Sequence, residues 1–62
     1  MTLSKEQALE RITGMYKSHV EVMDFAQKHN DLSLYKAAEI DCAALYEAVQ
    51  ALKASLSGAQ GQ

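Results

Sequence analysis

Apolar residues recur along this chain at alternating spacings of three and four, in two lines that together cover most of its length. The longer line is Tyr35, Ala38, Cys42, Leu45, Val49, Leu52 and Leu56. That spacing holds seven side chains on one stripe of an α-helix for about three heptads. The earlier line is Leu9, Ile12, Tyr16, His19, Met23 and Ala26, with Ala8, Met15 and Val22 beside it. Its face is wider than a two-stranded coiled-coil seam and suits a helical bundle. Both lines are packing surfaces and carry no catalytic pattern.

Local signals set the ends of the two helices. Ser4 and Gln7 have the S-x-x-Q form of a capping box, Leu3 and Ala8 can staple the entry, and Glu6 lies in the first turn, where the helix dipole favours an anion. The first helix is therefore expected over about 4–29. Lys28 and His29 suit a helix C-terminus, Asn30 tolerates the left-handed conformation, and Asp31 or Ser33 can cap the second helix. A turn over about 30–33 is short enough to lay the helices antiparallel as neighbours. The second helix is expected over about 33–56, with Ala37, Ala44, Ala48 and Ala51 as a small-residue strip beside its seam. Ser57-Gly58 reads as a stop, with Gly58 past the helix end and 58–62 as a flexible polar tail. Gly14 stands against the pattern, because an interior glycine costs roughly 1 kcal/mol relative to Ala. It reads as a tolerated surface glycine, a break after Thr13, or a place where a partner backbone comes close.

The prediction is an all-α chain with one domain over 1–57, an antiparallel helical hairpin. Ordering a residue costs about 1.5 kcal/mol, and apolar burial returns only about 25 cal/mol per Å². Two helices touching along one line bury too little to meet that cost. The hairpin is therefore expected to assemble, most simply as a homodimeric four-helix bundle or else as a higher helical oligomer. Val20, Phe25, Leu34, Ile40 and Tyr46 fall off the two lines and are the candidate partner contacts.

Composition narrows the class further. The chain has 62 residues, 48% of them apolar, no Pro or Trp, and three Gly, two of them among the last five residues. Little turn punctuation favours a few long helices. The net charge of −2 leaves no basic face for nucleic acid or an anionic membrane, and no apolar run is long enough to span a bilayer. Cys42 is the single cysteine and cannot form an internal disulfide, so a reducing cytoplasmic setting is the default.

Candidate chemistry adds little. His19 on the apolar stripe reads as a satisfied core or interface histidine, with a pH-sensitive site as the alternative. His29 reads as a cap, Cys42 as a small hydrophobe, and Asp41 as either a flanking solvated carboxylate or an interfacial one. His19, His29 and Cys42 lack zinc-site spacing. No phosphate loop, nucleophile elbow or paired carboxylates occur, so no catalytic, metal or cofactor site is expected and the chain reads as non-enzymatic. Tyr16, Tyr35 and Tyr46 suit interface rims, buried along the ring and wet at the hydroxyl.

The layout of a capped helix (Ser4, Gln7), a polar turn (28–33), a second helix and a polar tail resembles two kinds of small bacterial protein in format over the whole chain. One is the Rop family of plasmid RNA-binding proteins, dimeric four-helix bundles. The other is the hairpin co-chaperones of type III secretion needle subunits. Small phage-encoded inhibitors of host proteins are similar in scale. A Rop-like RNA face implies basic residues along helix 1, whereas here Lys5, Arg11, Lys17 and Lys28 interleave with Glu6, Glu10, Glu21 and Asp24. The expected function is a protein–protein interaction module or regulator/inhibitor that pairs with itself and with another protein. The alternatives are a co-chaperone for a secreted helical partner and a Rop-like bundle binding RNA or a nucleotide between subunits.

Overall fold

The start of the first helix is set by its capping box. Ser4 Oγ accepts from the Gln7 backbone N–H at 3.1 Å, and Gln7 Oε1 accepts from the Ser4 N–H at 3.0 Å. Two of the unpaired donors of a helix start are thus satisfied by two side chains. The computed structural model describes residues 2–61, with side chains through residue 57. In it α1 spans Lys5–Lys28 and α2 spans Leu32–Gly61.

Helix α1 runs through Gly14 without interruption, so the expected alternative of a break there is wrong. A Cβ built at Gly14 meets nothing within 4 Å, and the backbone is helical, so neither contact nor conformation within the chain requires glycine. Gly14→Ala should therefore raise stability by about 1 kcal/mol, read as a higher urea midpoint at unchanged slope. A lower midpoint would place a partner's backbone against this position instead.

The turn closes as a Schellman motif. Asn30 takes φ 55°, its N–H donates to the Gln27 carbonyl at 3.2 Å, and the Asp31 N–H reaches back to the Ala26 carbonyl at 2.8 Å. Three orphan demands meet here. The left-handed residue is Asn, the last carbonyls of α1 find donors, and Asp31 Oδ1 accepts from the Leu34 N–H at 3.1 Å to start α2. Of the two candidate caps Asp31 serves, and α2 begins one residue earlier than the expected 33. His29 is the C-cap residue of α1; its ring Nδ1 donates to the Phe25 carbonyl at 2.9 Å and its ring stacks on that of Phe25 at 4.1 Å.

Gly58 does not end α2. The helix continues to Gly61, and among the described residues no glycine has positive φ. The polar side chains expected to form a tail from 58 onward lie outside the described residues.

The two helices lie side by side as an antiparallel hairpin with principal extents of 47 × 24 × 14 Å. The least of these is close to the ~10–12 Å diameter of one helix with its side chains. The protein is one layer thick, so each broad side of the hairpin faces solvent. At the open end Lys5 Nζ donates to Ser55 Oγ at 2.6 Å, joining the start of α1 to the last turns of α2. No helix among the described residues is long and apolar enough to cross a membrane.

Candidate functional site

Both predicted seams meet at the helix–helix contact. Ala26, Ala38, Cys42 and Val49 are buried. Leu9, Ile12, Tyr16, His19 and Met23 of α1, and Tyr35, Leu45, Leu52 and Leu56 of α2, are half-buried. Among the described residues no large side chain is fully enclosed. That is what one line of contact can achieve: small residues vanish between the helices and large ones are covered on one side.

Burial pushes the Cys42 thiol above its ordinary value, and the nearby Asp41 carboxylate adds to the shift. Both causes disfavour the thiolate, so Cys42 is a packed neutral group and a poor nucleophile. The shift is also linked to stability. Raising this acid's pKa in the folded state gives stability that is complete below about pH 8.5, the ordinary thiol value, and is lost as pH climbs through the raised one. Alkylation of Cys42 by a neutral reagent should be slower than for the urea-unfolded chain throughout the neutral range, and the gap should close as the pH is raised. Equal rates at pH 7 would show that the thiol is not held in the seam.

The two broad sides of the hairpin differ in character. One is marked by His19 and Asp41, whose Nε2 and Oδ2 lie 3.5 Å apart across the helices. The His19 Nδ1 donates to the Met15 carbonyl at 2.8 Å; a carbonyl only accepts, so this nitrogen carries the hydrogen. Asp41 stays exposed, and such a contact is worth little by itself. Helical periodicity puts Met15 and Val22 on the His19 side of α1, and Ala37, Ala44 and Ala48 on the Asp41 side of α2. Met15 is 48% and Val22 37% exposed. This side is apolar, low in charge and smooth along α2.

The opposite side holds a solvent-open groove of about 660 Å³ between the helices. Its apolar lining is Tyr16, Val20 and Met23 from α1 with Tyr35, Cys42, Ala43 and Tyr46 from α2. All three tyrosines of the chain are thus gathered in one groove. The rings of Tyr16 and Tyr46 pack across it with centroids 6.2 Å apart and planes tilted by 48°. A smaller hollow of about 400 Å³ at the turn shares Gln27 and Tyr35 with it and prolongs it toward Asn30. Every charged residue lining the groove is acidic: Asp24 on α1, Glu39 and Glu47 on α2. Asp24 is 3.0 Å from Lys28, whereas Glu39 and Glu47 have no ion-pair partner among the described residues.

The structure sorts the five candidate partner contacts. Val20 and Tyr46 line the groove, Phe25 and Ile40 are exposed away from it, and Leu34 is already half-covered by its own hairpin. Leu34 is therefore a weaker candidate than its place off the seam implied. Tyr46, expected off the seam as a candidate partner contact, also packs on Tyr16, because a long side chain just off a seam can lean over it. His19–Asp41 and Tyr16–Tyr46 are cross-helix contacts that depend on helix register, which no single-helix pattern contains. Among the described residues no three His, Cys, Asp or Glu side chains converge on a point that could hold a metal. The arrangement offers aromatic faces, an apolar floor and acceptor oxygens, a chemistry of docking. No protein-family model, curated protein or solved structure matches the chain.

Proposed function

We propose that the chain is a non-enzymatic protein-interaction module that acts as a helical-hairpin oligomer and regulates a partner by binding it. The observation that carries this reading is the single-layer architecture. A stable domain closes its core between at least two layers, and this one exposes 4897 Å². A folded monomer of 6.8 kDa exposes about 4000 Å² by the usual size scaling. The larger exposure follows from the single layer, which leaves both broad sides of the hairpin uncovered.

The side bearing Met15, Val22, Ala37 and Ala44 is the one suited to a second copy. It has small residues for close approach of helix axes and few charges to desolvate. Two hairpins joined there form a four-helix bundle in which the smooth sides become the core. Sedimentation equilibrium tests the reading: a dimer at micromolar concentration is expected, and a folded, cooperatively melting monomer would refute it. A second reading, a co-chaperone hairpin whose missing layer is a helix of another protein, draws support from the tyrosine groove. It expects a monomer with a shallow melt that sharpens when the partner is added.

A further inference from the structure

We infer that the tyrosine-lined groove is a docking site for an amphipathic helix of another protein, apolar on one face with Lys or Arg along the margin that lies against α2. This deepens the interaction-module reading and rests on it. The groove runs past Tyr16 to Gln27 on α1, about 17 Å or three turns of helix. That length matches the i, i+3/i+4, i+7 anchors by which a helix lies in a groove. Its floor is apolar and aromatic, and its unpaired acidic groups, Glu39 and Glu47, stand on the α2 wall, while Asp24 on α1 is paired with Lys28.

Charge decides among the possible occupants. A second copy seated here about a twofold axis would bring its own unpaired Glu39 and Glu47 into the same groove as these, so this side is poorly suited to self-pairing. Nucleic acid and anionic membranes present phosphates to the same acidic wall and are repelled. A helix with a basic margin instead gives Glu39 and Glu47 the counter-charges they lack, while its long cationic side chains can lie over the Tyr16 and Tyr46 rings.

Two synthetic helical peptides of about 18 residues test this, with the same Leu/Ala face and no aromatic residue, one with a Lys margin and one with a Glu margin. The chain has no Trp, so emission from its three groove tyrosines reports binding directly. The Lys-margined peptide should bind at least tenfold more tightly and weaken with added salt. In a Glu39→Lys/Glu47→Lys variant of wild-type helicity the preference should reverse. Binding of neither peptide, equal binding of both, or an unchanged preference in that variant would overturn the assignment. Should the variant not fold, photo-crosslinking on the wild-type chain decides. Crosslinks to Val20, Ala43 or Tyr46 support the groove, and crosslinks confined to Met15, Val22 or Ala44 refute it. The mass of the peptide-free protein, taken in parallel, separates the two ideas: a dimer indifferent to both peptides sinks the groove and leaves the oligomer standing.

Discussion

Val49→Asp is expected to abolish cooperative folding. Val49 is 7% exposed on the α2 seam, one of four buried residues among those described. An aspartate there must either strand a carboxylate among apolar side chains or bind a proton to avoid doing so, and either course costs several kcal/mol. A domain of this length has a total stability of roughly 3–9 kcal/mol, so a loss of about 4 takes from nearly half to all of it. Far-ultraviolet circular dichroism should show a large fall in helicity and no sigmoidal melt. Its neighbour Gln50 is exposed, and Gln50→Asp should stay within about 0.5 kcal/mol of wild type. If Val49→Asp melts like the wild type, the seam is not what holds the hairpin together.

The second large effect concerns concentration. If folding and assembly are one event, stability depends on how much chain is present. Unfolding of a dimer of this size absorbs on the order of 90 kcal/mol near its midpoint. A hundredfold dilution should then lower the melting temperature by about 10 °C. Ala44→Glu should have the same direction of effect at fixed concentration. Ala44 is exposed in the hairpin, so a carboxylate there costs the single chain little, but it would be buried opposite its twin in the bundle. A melting temperature that ignores both dilution and Ala44→Glu would move the interface elsewhere or remove it.

The seams were legible because helical periodicity is written one chain position at a time. Leu9 to Ala26 and Tyr35 to Leu56 needed no knowledge of one another to be recognised, and each lies at the helix contact. The caps were legible for the same reason, since Ser4 with Gln7 and Asn30 with Asp31 act over three or four residues. The groove was not. Glu39 and Glu47 look like ordinary outward charges on α2, and Asp24 looks like half of a pair with Lys28. Only the rotation and register of the helices place these three on the walls of one hollow floored by all three tyrosines. The stop at Gly58 is a local signal too, and α2 continues through it to Gly61.

The turn has a consequence for how the hairpin comes apart. Ala26 and Ala38, the two most enclosed residues, lie near the Asn30 turn, and Cys42 and Val49 come next with slightly greater exposure. Beyond Val49 no described residue is buried, and the far end is joined by the solvent-exposed Lys5–Ser55 bond. Protection against local opening is therefore graded along the length, highest beside the turn and falling toward the chain ends. The molecule behaves as a hinged clip. Its closed end fixes the register of the two helices, and local opening starts from the end where only the Lys5–Ser55 bond joins them.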